Sequence, residues 1–423
     1  MNEEFTAANE QMLRGQVIDE NGPGTILSDF VALLDYIAAH QVPLTKIHNL
    51  FSMNILPELN ALLARPPEVR LKRPKQKSFP HVNGLYMLLR MSGLTRVVTK
   101  SKHCVLEIDE QAYASWRGLN PAERYFSLLE AWLVRGTEEI MGEHDPHGSI
   151  YQASDFMKHL GAPGLRVGRR LDLDPDSLSY RPGLHNLALL EMFGCLNITL
   201  SKTPPGEGWK IRRLDPLPWG TALFAVIHQV YRDNRFLFFD YADSGPLDDS
   251  RFDTLQQFLQ PYFPGWENVL TLGKHEFADG LYTFKVTLPY HKAWRRIAIP
   301  GKWVLEDLSD AILDAFDFDN DHLHQFTYRS RSGREIRVTH EAIDYEPRHT
   351  DEIRIGDAPL APGEKMTYLF DFGDNWEFEV MLEEIAPPDP KAKKARIIEK
   401  HGQAPPQYWS EDENDEDWEE DDE

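Results

Sequence analysis

Two histidines, His322 and His324, and four carboxylates, Asp371, Asp374, Glu377 and Glu379, supply the nitrogen and oxygen donors that a divalent metal takes. Asp371 and Asp374 flank Gly373, so a turn there could bring both to its mouth, and Glu377 and Glu379 share one face of a following strand by the two-residue period. A metal-dependent hydrolase or nuclease built on His322, His324, Asp371 and Asp374 is one expectation. The alternative is a tight hairpin whose aspartates accept backbone hydrogen bonds, with the glutamates on a solvated face. Trp294, Arg295 and Arg296 raise a second possibility, because guanidinium forks match phosphate oxygens. Internal pairing with nearby carboxylates such as Asp371 answers the same residues. A third group is cationic: Arg65, Arg70, Lys72, Arg73, Lys75 and Lys77, interrupted by Pro66, Pro67 and Pro74, followed by Arg90, Lys100 and Lys102, and later by Arg166, Arg169 and Arg170. The prolines forbid a helix interior, so an extended, exposed loop is predicted, suited to backbone phosphates.

The elements that would position these groups are legible from periodicity. Apolar residues at helical spacing predict helices over Ile26–Ala39, with Ser28 as N-cap, over Ile55–Leu63, and over His81–Ser92, which stops at Gly93. Two short strands follow, Leu94–Val98 and Cys104–Ile108. The outline recurs with a helix at Leu187–Phe193, a stop at Gly194, and strands at Cys195–Leu200 and Trp209–Leu214, then a further helix from Gly220 to Gln229. Helix, glycine stop, strand, polar turn, strand is the outline of a winged helix, so a tandem of winged-helix-like units is predicted. In that arrangement His81–Ser92 would be the first recognition helix, presenting His81, Asn83 and Arg90 to a DNA groove.

Downstream, Tyr282–Leu288 and Trp294–Ile299 alternate as strands and Leu305–Phe316 repeats as a helix. His324–Tyr328, Glu335–Val338, Lys365–Phe370 and Trp376–Leu382 complete a mostly antiparallel α+β roll. The expected fold class is therefore α+β, mainly helical in its N-terminal part. Expected segments are a flexible leader at 1–24, winged-helix-like units at 25–140 and 141–234, a connector at 235–273 that includes the apolar run Phe236–Phe239, the roll at 274–390, and a basic-then-acidic tail at 391–423.

Four motifs in this last part, Tyr282-Thr-Phe-Lys-Val-Thr-Leu, Ala293-Trp-Arg-Arg-Ile-Ala-Ile-Pro, Asp321-His-Leu-His-Gln-Phe and Phe370-Asp-Phe-Gly-Asp-Asn-Trp-Glu-Phe-Glu-Val, resemble the plasmid pRiA open-reading-frame-three family. That family also holds a passenger protein labelled TnpR in some insertion elements. The resemblance implies a link to mobile genetic elements and marks Trp294, Arg295, Arg296, Asp371, Gly373, Asp374 and Trp376 as motif residues. This chain has Phe378 where the family usually has histidine, and Pro405, Pro406 and Gln407 where the family has a Pro-Pro-Glu-Asp stretch. No serine-recombinase arrangement accompanies the label, and the chain has no P-loop, GxSxG elbow or HExxH helix.

Composition sets the outer limits. The 423 residues are 41% hydrophobic and 11% aromatic, enough for two or three packed cores. Cys104 and Cys195, far apart in apolar runs, read as buried free thiols. No run is long and apolar enough to span a bilayer, and the acidic start is unlike a signal peptide, so a cytoplasmic protein with no membrane partner is expected. The net charge of −23 opposes nucleic-acid binding at first sight, but residues 411–423 carry eleven of the carboxylates, leaving −12 on the rest. Such a tail could compete with DNA for the basic loop. The leading expectation is a non-catalytic accessory or regulatory protein that binds DNA or a protein partner, with no cofactor required and a divalent metal possible only at the His/Asp set.

Overall fold

The computed structural model describes residues 5–45, 48–100, 103–136, 140, 148–161, 164–168, 171–234, 250–273, 275–330, 335–343, 348–392 and 394–408. Lys102, Arg169, Arg170, Phe236–Phe239 and the acidic tail lie outside them, and Lys100 is described by its backbone alone. The chain divides into two compact units, one built mainly from residues up to 274 and one mainly from 275 onward. No helix among the described residues is long and apolar enough to cross a membrane.

The first unit is mostly helical and carries two three-stranded sheets. It opens with α1 (Ala7–Gly15), which Thr6 caps by accepting from the Asn9 amide and which buries Leu13 completely. Residues 7–15 are therefore a packed helix, within the 1–24 range where a loose leader was expected. Then come α2 (Ile26–Ala39), β1 (Val42–Leu44), α3 (Leu56–Ala61), α4 (Pro80–Met91), β2 (Thr95–Lys100) and β3 (His103–Ile108), with strand order β1-β3-β2. Thr25 stands at the N-cap of α2, and Ser28, expected there, instead donates to the Thr25 carbonyl from within the first turn. Two helices, α5 (Glu110–Gly118) and α6 (Pro121–Val134), follow.

The same order then recurs as α7 (Gly148–Leu160), β4 (Leu165–Arg166), α8 (Pro175–Leu178), α9 (Leu184–Met192), β5 (Leu196–Leu200) and β6 (Ile211–Pro216), with strand order β4-β6-β5. The long α10 (Pro218–Asp233) follows. The repeats share one hydrophobic core, in which Tyr125 and Trp132 of α6 reach across. Tyr125 Oη donates to the Phe193 carbonyl at 2.7 Å, and Trp132 Nε1 donates to Asn186 Oδ1 at 2.8 Å. Gly24, at φ +72°, lets the chain ahead of α2 lie on the end of α9, and a Cβ there would fall 2.0 Å from the Met192 carbonyl oxygen.

Residues 250–272 belong to this core as well, so over that range the expected connector is a packed element carrying α11 (Gln256–Leu259). Phe252, Trp266 and Leu270 are fully buried. Two buried carboxylates of α6 explain the docking. Glu130 accepts from the Leu255 amide at 2.9 Å and pairs with Arg135 at 2.8 Å. Glu123 accepts from the Glu267 and Asn268 amides and from Asn268 Nδ2, while its other oxygen completes a capping box with Asn120. These bonds supply partners for a backbone whose own strand pairing, among the described residues, is the single antiparallel bridge of Arg251 with Thr271.

The second unit is a seven-stranded antiparallel sheet in the order β10-β9-β11-β12-β7-β8-β13. Its strands are β7 (Leu281–Leu288), β8 (Ala293–Pro300), β9 (His324–Arg329), β10 (Glu335–Thr339), β11 (Lys365–Phe370), β12 (Trp376–Ala386) and β13 (Arg396–His401). One long helix, α12 (Leu305–Phe316), covers the inner face. The alternation of Tyr282, Phe284, Val286 and Leu288 points those side chains into the core, where they meet Leu308, Ile312 and Phe316.

Candidate functional site

The recognition-helix expectation fails on burial. In α4 every residue but Arg90 is buried, and α4 packs directly on α9, its counterpart in the second repeat. A Cβ on Gly84 would stand 3.0 Å from Leu189 Cγ, so the missing side chain is what permits this approach. His81 and Asn83 point into the protein. His81 Nε2 lies 2.9 Å from Glu191 Oε2 with its ring edge against Trp209, and Asn83 accepts from Gln76 Nε2 at 2.9 Å. The third helices of the repeats therefore hold the repeats together and are closed to a DNA groove.

The cationic loop, in contrast, is outside and held in place. Gln76, in a short 3₁₀ turn, is buried and accepts from the Phe51 amide while donating to Asn83, which anchors the loop between Lys75 and Lys77. Lys72, Arg73, Lys75 and Lys77 are exposed. Arg70 is already paired with Glu68 at 2.6 Å. Two backbone hydrogen bonds join this loop to the turn between β5 and β6: Arg70 N to the Glu207 carbonyl at 3.2 Å, and Gly206 N to the Arg70 carbonyl at 3.0 Å. The same turn and the strand after it carry Lys202 and Arg212, both exposed, while Lys210 pairs with Glu207. Nothing in the linear sequence announced this addition, since about 130 residues separate the two segments and only the fold joins them. Burial, with a smaller contribution from the nearby Lys77 charge, holds the His185 imidazole down at about 4. Of the other cations in the expectation, Arg90 is half-buried on α4 and Arg166 forms a two-pronged bridge with Asp172.

In the second unit the His/Asp set divides. Asp371, at φ +57°, forms an Asx turn, its Oδ1 accepting from the Gly373 amide at 2.8 Å and more distantly from Asp374 N. His322 Nε2 approaches Asp371 Oδ2 at 3.5 Å and Asp321 at 3.7 Å. His324 is elsewhere, fully buried, with Nε2 shared between Glu306 (3.1 Å) and Thr350 (3.2 Å). The His324 and Thr350 hydrogen bonds hold the Glu306 carboxyl down at about 2. Asp374 is exposed on the turn. Among the described residues no three His, Cys, Asp or Glu side chains converge as metal ligands would. Glu379 pairs with Lys365, and Glu377 is exposed.

The two arginines of β8 face opposite ways and are both engaged. Arg295 is buried against the Phe316 ring, and its guanidinium donates to the carbonyls of Ala315, Trp294, His401 and Gly402. It thus ties the C-terminus of α12 to β13, where carbonyls and helix dipole both favour a cation. Arg296 pairs with Glu383 and Glu399, so the internal partners are these two and not Asp371. Trp294 lies between Lys285 and Arg296 and stacks on His401. The closing stretch is also in place: Gln407 is buried, accepting from the Asp319 amide and donating to Asp321, which also accepts from Tyr408 Oη.

No curated protein matches the chain. Among solved structures, the crystal structure of a protein of unknown function, MM3350 from Methanosarcina mazei Go1, is 26% identical over 30% of this chain and 73% of that one, with a TM-score of 0.28. Residues 280–410, which carry the Asx-turn motif, the paired arginines and the closing stretch, match the family described as Plasmid pRiA4b ORF-3-like protein, and the match falls on the C-terminal unit.

Proposed function

We propose that this is a non-catalytic accessory protein of mobile elements whose first unit, a fused pair of winged-helix-like repeats, binds the phosphate backbone of nucleic acid. The carrying observation is the loop 70–77 bonded to the β5–β6 turn, with Lys72, Arg73, Lys75 and Lys77 exposed on the loop and Lys202 and Arg212 exposed on the hairpin. Repeat order and strand order support the winged-helix comparison. Closure of α4 against α9 argues for binding without base readout, since phosphate contacts position a protein and base contacts specify sequence. The family description, with its plasmid origin, supports the mobile-element setting. The test is a mobility shift of full-length protein with mixed-sequence duplex DNA at about 50 mM salt and upward. Retention that falls steeply with salt and is indifferent to sequence is expected. No retention at the lowest salt would move the reading to a protein partner.

The metal-dependent alternative retains one supporting feature, the approach of His322 to Asp371 and Asp321. His324, which that reading requires beside them, lies instead against Glu306 and Thr350, and no three such side chains converge among the described residues.

A further inference from the structure

At one end of the roll the β7–β8 turn and the β11–β12 turn enclose a depression of about 340 Å³, lined among others by Tyr290, His291, Asp374, Asn375, Trp376 and Glu377. Its chemistry is of two kinds. One wall is aromatic: Trp376 is nine-tenths buried, the His291 ring stands 5.7 Å from it, and Tyr290 is 95% exposed on its short 3₁₀ turn. A tyrosine this exposed stabilises nothing within the fold. The other wall is anionic. The carboxylates of Asp374 and Glu377 make no hydrogen bond or ion pair among the described residues, and Lys292, next to the turn, pairs with neither. In the same motif Asp371 is occupied by its own turn, and Asp321 by Gln407 and Tyr408. Among the described residues, the two carboxylates that line the depression are therefore the unengaged ones. In addition, the buried Trp376 indole N–H has no acceptor among the described residues.

We infer that this depression is a binding site for an organic cation, the alkylammonium or guanidinium group of a peptide lysine or arginine, held between the aromatic wall and the Asp374 and Glu377 carboxylates. Aromatic faces attract such cations through the ring quadrupole, and the paired carboxylates add charge-assisted hydrogen bonds. An anionic or neutral ligand would gain from neither. Both carboxylates are exposed, so affinity for a single side chain is weak and falls with salt.

The test uses full-length protein labelled with ¹⁵N in its ten tryptophans, with the Trp376 indole signal assigned by its loss in Trp376→Phe. Probes are the N-acetyl, N′-methylamide derivatives of lysine and arginine, with the norleucine derivative as neutral control. A saturable shift of the Trp376 signal with lysine or arginine and not with norleucine is expected. Asp374→Asn with Glu377→Gln is expected to weaken that binding by about tenfold while leaving the other indole signals in place. Tyr290→Ala, an exposed change, provides an independent loss. Equal shifts with norleucine, or no saturable shift with either cation, would overturn the assignment.

Discussion

Replacing Lys72, Arg73, Lys75 and Lys77 together by alanine gives the most direct measure of the cationic surface. All four are exposed, and the anchor Gln76 is left untouched. On duplex DNA the logarithm of affinity falls with the logarithm of salt at about −0.9 per phosphate neutralised. Six exposed cations on the loop and the β5–β6 hairpin, none in an ion pair among the described residues, then imply a slope of about −5.4, and removal of four reduces its magnitude by about 3.6. Across a fourfold rise in salt, that loss changes the affinity drop by a factor of about 150. Arg70→Ala is the internal control, because its guanidinium is already paired with Glu68. Fluorescence anisotropy with a labelled mixed-sequence duplex, titrated at several salt concentrations, reads the slope directly. If the fourfold variant keeps the parental slope, the loop does not touch the backbone and the argument from its placement is wrong.

Three further outcomes test the architecture. Glu123→Gln removes the charge from a carboxylate accepting from three donors of the 267–268 segment, and is expected to cost about 2–4 kcal/mol and to raise hydrogen exchange across that segment. His185 has a folded-state value of about 4 against an unfolded value near 6.5, so the neutral ring's contribution is complete above about pH 6.5 and is lost as pH falls toward 4. His185→Gln should flatten the stability profile of the first unit within that window, as followed by urea denaturation. Arg295→Met leaves four carbonyls without their donor and should cost about 3–5 kcal/mol, with the amides of β13 losing protection first.

What the sequence made legible was local. The Asx turn at Asp371 depends on residues within three positions of one another, and the hairpin alternative stated that bonding from composition alone. Strand alternation likewise separated Arg295 from Arg296, although their partners, Glu383, Glu399 and the carbonyls near His401, lie about ninety to a hundred residues downstream. The recognition-helix error has a similar origin. His81 and Asn83 are polar residues at a helix start, and their partners Glu191 and Gln76 are supplied by other elements. A clue was nevertheless present: Val82, Leu85, Met87, Leu88, Leu89 and Met91 cover more than half of the circumference of α4, a wider apolar face than a helix with one side in a groove needs. A short helix around Asp253–Leu259 could be read within the connector, and the structure has one at Gln256–Leu259, but the packing of residues 250–272 into the core could not, because they are held by side-chain carboxylates that belong to α6.

The contact between α4 and α9 also bears on how this protein can diverge. In a winged helix that reads bases, the third helix is where target preference drifts, one exposed side chain at a time. Here Gly84 lies against Leu189 and His81 against Glu191, so a change on either helix must be answered on the other or the repeats part. If the loop 70–77 and the β5–β6 turn bind nucleic acid as proposed, variation in what is bound is left to them, since their charges can be gained or lost singly. Among relatives of the N-terminal unit, the helix pair should therefore change in concert and the loop should change freely.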